Sequence, residues 1–348
     1  MTRTFEDKPA TRSSVPLLIG LTGASGSGKT FSALRLATGI QRVAGGEIFV
    51  VDTESRRSLH YADVFRFRHV EFTAPFSPLD YLAAIEHCVS KGAKTIVVDS
   101  MSHEHEGPGG VLEWHDRLTD ELAQRWKTSR EKVQLTAWGE PKAARRRLIN
   151  TVLQLGCNAV FCFRAKDKIK PPPKGEREVQ SLGWMPIAGE EFVYEMTANC
   201  LLYPGSKGTP TWNPVLAGEK QMTKLPSYLS TVLNPGGNGT GQQLSEDIGE
   251  AMAKWASGDD VFGNTLEAIQ SASTLAELDA IKPRLQEIKA GRKLPPKQYS
   301  MLVDAAKSRK DALENPEPPT GYAPEEHPEV EGDPNYGMEP PDADNDGR

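Results

Sequence analysis

The chain offers little to a membrane, a disulfide framework or a fixed zinc ion. No run of 18 consecutive apolar residues occurs, so no helix of it is expected to span a bilayer. The opening M-T-R-T-F-E-D-K-P-A has no apolar core and does not read as a secretory signal. Cysteine is scarce: Cys88, Cys157, Cys162 and Cys200 form no C-x-x-C pair and no zinc spacing. Reduced thiols in a cytoplasmic protein are the expectation. No [NT]-K-x-D sequence is present, which removes the base-reading motif of a GTPase.

What the chain has is length and an uneven charge. Its 348 residues allow one large domain and a smaller one. Of the net charge of −6, residues 314–348 contribute −10, with eleven acids and one arginine, leaving +4 for the body. Within the body, residues 125–177 hold fourteen Lys/Arg against four Asp/Glu. A basic middle and an acidic end in one chain call for an explanation.

From Val15 onward the pattern alternates between strand and helix. V-P-L-L-I-G-L, E-I-F-V-V-D, T-I-V-V-D and N-A-V-F-C-F are short apolar runs that read as buried strands. R-H-V-E-F is a weaker candidate. Helical segments lie between them: one following the first Gly-rich turn, one from Pro78, and two more at about 110–127 and 141–155. This alternation predicts an α/β domain around a mainly parallel sheet, spanning 15–232 after a flexible stretch at 1–14. The Pro- and Lys-rich segment 167–190 reads as a mobile loop, and T-A-N-C-L-L-Y and T-P-T-W-N-P-V as strands joined by a turn. Residues 233–244, containing N-P-G-G-N-G-T-G, read as a flexible linker to a helical module at 245–313. Ser245 as an N-cap and the Thr274-x-x-Glu277 capping box mark that module. The last segment, 314–348, is too polar to bury a core and is expected to be disordered.

One motif carries chemistry by itself. Gly23-Ala24-Ser25-Gly26-Ser27-Gly28-Lys29-Thr30 matches G-x-x-x-x-G-K-[ST] in full, between an expected strand and an expected helix. Glycines let backbone N–H groups turn inward around a β-phosphate, Lys29 reaches the β- and γ-phosphates, and the Thr30 hydroxyl binds Mg²⁺. The helix adds its positive N-terminal end. ATP with Mg²⁺ is the cofactor pair this predicts. Asp99, ending T-I-V-V-D, is the second Mg²⁺-side residue, with Thr30 and Asp99 as the metal set. The residue after it is Ser100 rather than a glutamate. The acid that activates water is therefore sought on the neighbouring strand end, V-V-D-T-E-S, where Glu54 lies on the same rim of a parallel sheet. Glu104 and Glu106 are the alternatives. His103-Glu104-His105-Glu106 invites a metal reading, but histidines two apart do not share a helix face, and a polar loop beside the γ-phosphate is preferred.

G-A-S-G-S-G-K-T, V-V-D-T-E and I-V-V-D-S together resemble the RecA/Rad recombinase superfamily. Over roughly residues 15–230, with D-S-M-S-H-E-H-E-G-P-G-G and G-E-E-F-V-Y-E-M-T-A-N-C-L-L-Y-P-G, the chain is similar to phage RecA-like ATPases of the Sak single-strand annealing group. The resemblance implies a RecA-like core, Glu54 as the catalytic acid with Lys29, and Asp99-Ser100 at the nucleotide. It also implies a homo-oligomer acting on single-stranded DNA in annealing or recombination. Where recombinases often carry a γ-phosphate-sensing Gln after the next core strand, this chain has F-C-F-R-A-K. Arg164, Lys166 and Lys168 are its candidate sensor or trans cations. The basic stretch supplies candidate DNA contacts in Arg145, Arg146, Arg147, Lys170, Lys174 and Arg177, with Trp138 and Trp184 available to stack on bases. The acidic segment would compete with DNA or recruit a partner such as a single-strand binding protein. Two rival readings are an ATP-driven loader without annealing activity and a small-molecule kinase with its lid at 164–177.

Overall fold

The structure, a computed structural model, describes residues 15–170, 179–234, 237–258, 261–291, 294 and 296–315. The stretch 1–14, the acidic segment from 316, and Lys174 and Arg177 lie outside the described residues.

Four apolar runs form the centre of the sheet because both of their faces are buried. In β1 (Leu18–Gly23) every residue is buried, and β2 (Glu47–Asp52), β4 (Ala93–Asp99) and the first half of β5 (Asn158–Lys170) are nearly so. Alternate side chains go to opposite layers. Ile19, Leu21, Val50, Val97 and Val160 join one core, while Leu18, Val51, Val98, Phe161 and Phe163 join the other, as the period of two requires. Helix α1 (Lys29–Ala44) covers the first layer. Helices α2 (Pro78–Ser90) and α6 (Gly139–Gln154) cover the second. Ser77 starts α2 by accepting a hydrogen bond from the Asp80 N–H, with Pro78 in the first turn. The sheet order is β3-β2-β4-β5-β1-β7, with β3 at Arg68–Glu71 and β7 at Ala198–Leu202, and these pairs are parallel. This is the α/β core around a mainly parallel sheet read from the sequence.

Four expectations change. In the described part of the segment expected to be loop at 167–190, β5 continues to Lys170 and pairs antiparallel with β6 (Gln180–Pro186). The pairing gives the polar run R-A-K-D-K-I-K backbone partners that its composition did not advertise. The second strand expected at 209–215 is reduced to isolated bridges at Thr211, with Leu201 on one side and Thr240 on the other. The basic stretch holds an additional helix, α5 (Arg130–Ala137), between α4 (Val111–Trp126) and α6. The four residues His103–Glu106, expected as a loop, form a one-turn helix α3.

Short helix α7 (Glu190–Tyr194) precedes β7 in the chain, and α8 (Ala217–Met222) and α9 (Ser230–Leu233) follow it. Helix α10 (Glu246–Ser257), capped by Ser245 as expected, belongs to the core and not to a separate module. Leu244, Ile248, Met252 and Ala253 are buried with Leu34 and Ile40. Two glycines permit this. A Cβ at Gly39 would lie 1.8 Å from the Glu246 carbonyl oxygen, and one at Gly249 would lie 2.2 Å from that of Leu36. Arg35 locks the pair by donating to Glu246 and to the Leu244 carbonyl. The boundary expected at 233–244 therefore does not divide two cores. A separate small core belongs to α11 (Val261–Ser271), α12 (Leu275–Asp279), α13 (Lys282–Ala290) and α14 (Pro296–Glu314), around Ile269, Ile288 and Leu302. Thr274 caps α12 as expected by accepting from the Glu277 N–H, while the Glu277 carboxylate accepts from the N–H and hydroxyl of Ser273, one residue before the expected partner.

Gly249→Ala should lower stability by about 1–3 kcal/mol, the usual range for overpacking. Gly139→Ala, which meets nothing within 4 Å, should not lower it. Urea midpoints of the two variants check this, and equal midpoints would remove the close-approach account of α1 and α10.

Candidate nucleotide site

The parallel register assembles the site. Asp52 lies beside Asp99, Asp99 beside Cys162, and Gly23 beside Arg164. The carboxyl ends of β1, β2, β4 and β5 thus share one rim, where a cleft of about 770 Å³ opens. Lys29, Thr30, Glu54, Asp99, Glu106 and Arg164 line it together.

The Gly-rich turn leads directly into α1. Gly28 takes φ of 95°, and a Cβ there would come 2.8 Å from the Gly208 N–H nitrogen, so only glycine fits. No side chain caps α1, and its first-turn N–H groups face the cleft without intrahelical acceptors. The Ser27 hydroxyl is buried with no hydrogen-bond partner. Lys29 folds back to donate to the carbonyls of Gly23 and Ala24 at 2.9 and 2.8 Å. Burial holds its ammonium below the usual lysine range. The first-turn N–H groups and the Lys29 ammonium are donors arranged for an anion in the cleft.

The metal-side pair meets as expected. Thr30 donates its hydroxyl hydrogen to the Asp99 carboxylate at 2.5 Å. Burial pushes the Asp99 carboxyl up to about 6. A hydroxyl and a carboxylate on one spot are the hard oxygen donors that Mg²⁺ takes, so these residues fit the ion. Ser100 does not line the cleft. Its carbonyl accepts from Tyr81 and Thr53, and its N–H donates to the Thr53 hydroxyl.

Glu54 reaches the cleft because Asp52 builds the turn beneath it. The buried Asp52 carboxylate accepts the N–H groups of Glu54 and Ser58 and the Ser58 hydroxyl, with His69 3.3 Å away. Asp52 is thereby a structural acid, while Glu54 is free to face the cleft. There Arg164 holds it with two hydrogen bonds of 2.8 and 2.6 Å, and this contact raises the arginine's own pKa. Arg164 thus faces the site of its own chain. Lys166 lies 3.8 Å from Glu106 on the cleft edge, and Lys168 is half-buried farther out. Sequence reasoning missed Arg57, His60 and Tyr61, which also line the cleft. Tyr61 packs on Phe31 with ring centroids 5.7 Å apart. Their signal was position alone, a few residues beyond Glu54 on the same rim.

The model of the AAA domain family matches residues 16–200, more than half of the chain. The chain belongs to the AAA domain family. This AAA domain is also similar to a KaiC-like protein from the hyperthermophilic archaeon Pyrococcus horikoshii. That likeness spans 51% of this chain and 86% of that one, at 15% identity and a TM-score of 0.26. It is too slight to add to the fold read from the sheet. The comparison with curated proteins finds no match. No helix among the described residues is long and apolar enough to cross a membrane.

Around the AAA domain's cleft, α3 departs most from expectation. Glu104 is not on a polar surface; it is buried and bound by Arg145 through two hydrogen bonds of 2.9 Å. Arg145, expected as a DNA contact, is 4% exposed and committed to this pair, because an isolated buried carboxylate would be too costly. Arg146 and Arg147 beside it are exposed. His103 contacts the Thr53 hydroxyl at 2.8 Å, next to Glu54. His105 accepts from Arg145 on the other side. No group of three or more metal-ligating side chains forms among the described residues. Trp184 is half-buried, its backbone N–H donating to the Glu219 carboxylate, and lines a small pocket with Asn199 and Met222.

Two outcomes are expected. Lys29→Ala should abolish nucleotide binding and Glu54→Gln should keep it while losing most turnover, by calorimetry and phosphate release; unchanged turnover in Glu54→Gln moves the base to Glu106. His105, with burial and the nearby Arg145 holding it down to about 4, is neutral when folded but protonated in the unfolded chain below about 6.5. Its contribution to stability is present above that value and lost as pH falls towards 4. His105→Gln should therefore flatten the acid side of the stability curve. A curve that keeps its wild-type slope between pH 6.5 and 4 would remove His105 as a cause.

Proposed function

We propose that this protein binds ATP with Mg²⁺ and hydrolyses it, and that it uses the cycle on single-stranded DNA in annealing or recombination, in the manner of phage RecA-like ATPases of the Sak group. The observation that carries the nucleotide reading is the meeting of Lys29, the Thr30–Asp99 pair and Glu54 in one cleft. Thr30 and Asp99 would hold Mg²⁺, which neutralises charge on the β- and γ-phosphate oxygens. Glu54 orients a water and accepts its proton. Arg164, now paired with Glu54, lies where a γ-phosphate would compete for it. Tyr61, which lines the cleft, offers the nucleobase an aromatic face.

Support for DNA comes from a cationic face outside the cleft. Lys166 and Lys170 are exposed on the β5–β6 hairpin, Lys168 is half-exposed, and Arg146 and Arg147 are exposed on α6. Cations arranged this way neutralise phosphates without reading sequence. A homo-oligomer belongs to the same reading, with Lys166 or Lys168 reaching a neighbour's site.

The test is ATPase activity with and without single-stranded DNA, together with binding as a function of salt. DNA should stimulate turnover. Lys166→Glu/Lys168→Glu/Lys170→Glu should weaken binding and make its salt dependence shallower by up to about three phosphate contacts. Unstimulated turnover with normal binding and slope in the triple variant would favour a loader acting on other proteins.

A further inference from the structure

A second cleft of about 660 Å³ lies on the far side of α3 from the nucleotide. Leu135 and Trp138 give it an apolar floor, and Lys142, Arg145 and Arg146 give it a cationic side, with Glu191 as the acid at its edge. Leu135 is 88% exposed, unusual for a leucine with nothing packed on it. His115 stacks on one face of Trp138 at 4.0 Å, and the Lys142 ammonium lies 5.4 Å from the ring centre. Arg145 is consumed by Glu104, but Lys142 and Arg146 are exposed. The potential is positive beyond the cleft as well, since Arg145, Lys168 and Lys166 all disfavour a charged His105.

The chain itself carries a complement. Residues 316–348 hold ten acids and one arginine. Within them, Tyr336-Gly-Met338-Glu339-Pro-Pro-Asp342-Ala-Asp344-Asn-Asp346 sets an aromatic and a methionine directly before four acids. We propose that this segment docks in the second cleft of its own chain, Tyr336 and Met338 on Leu135 and Trp138, and the acids on Lys142 and Arg146. Apolar floor and cationic rim match apolar anchor and acidic run in the same order. The nucleotide cleft is a poorer host, because Glu54, Asp99 and Glu106 line it and its Arg164 is paired. The 22 residues from Glu314, where α14 ends, to Tyr336 extend to roughly 70 Å at about 3.3 Å each. Docked there, the segment covers Arg146 and stands against polyanions on the adjoining basic face, a self-competition relieved by salt.

The experiment uses the full chain with a photo-cross-linking phenylalanine at Tyr336, irradiated at low concentration and mapped by peptide mass. Cross-links are expected within residues 135–146 of the same chain. They should be lost at about 0.5 M salt and in Lys142→Glu/Arg146→Glu, whose fold is checked by near-ultraviolet circular dichroism. Adding Asp342→Lys/Asp344→Lys/Asp346→Lys to that double variant should restore them. Cross-links elsewhere, cross-links between two chains, or cross-links that persist after the rim is reversed would overturn the proposal. The outcome does not depend on whether the protein acts on DNA.

Discussion

The parallel pairing of β1, β2, β4 and β5 is the constraint on which everything at the site depends. A Gly-rich turn, a glutamate 31 residues later by number, an aspartate near 100 and an arginine at 164 have no local reason to meet. In-register parallel strands bring all their carboxyl ends to one rim, and Asp52, Asp99 and Cys162 stand in one row with Arg164 beside Gly23. A slip of one residue would turn each side chain to the opposite layer. Burial on both faces resists that slip, since every strand residue moved would take an apolar group out of a packed core.

Buried polar groups then divide the labour. Asp52 and Asp99 end neighbouring strands at equal height, yet they do different things. Asp52 is saturated by Ser58 and the Glu54 N–H and shapes the turn. Among the described residues the Asp99 carboxylate accepts a hydrogen bond from the Thr30 hydroxyl alone, so it retains acceptor capacity for a cation. Glu104 and Glu54 form a similar contrast. Each is held by one arginine through two hydrogen bonds, but Glu104 with Arg145 is sealed inside, while Glu54 with Arg164 opens to the cleft. Breaking the first strands a buried charge; the second can be exchanged for another anion. The one-turn α3 carries both situations, with His103 against Thr53 on one side and His105 against Arg145 on the other.

Legibility followed the range of the interaction. Helix caps at Ser245 and Thr274 depend on three neighbouring residues and could be read. The hairpin at 165–186 could not, because Lys-rich strands with partners look like loops until the partner is known. The α10 packing was hidden for a related reason: N-P-G-G-N-G-T-G reads as a linker, whereas the decisive glycines are Gly39 and Gly249, each unremarkable in its own helix.

By itself, the sequence determined the phosphate-binding turn, the strand ends bearing Glu54 and Asp99, and the α/β alternation. Each of these is a matter of backbone freedom or periodicity within a few residues. Tertiary structure alone decided that Arg164 pairs with Glu54, that Asp52 is structural, and that Arg145 is buried against Glu104 and withdrawn from the basic surface. Charged residues look alike in a sequence, and only burial and the partner at hydrogen-bond distance distinguish a solvated cation from one that neutralises an internal acid.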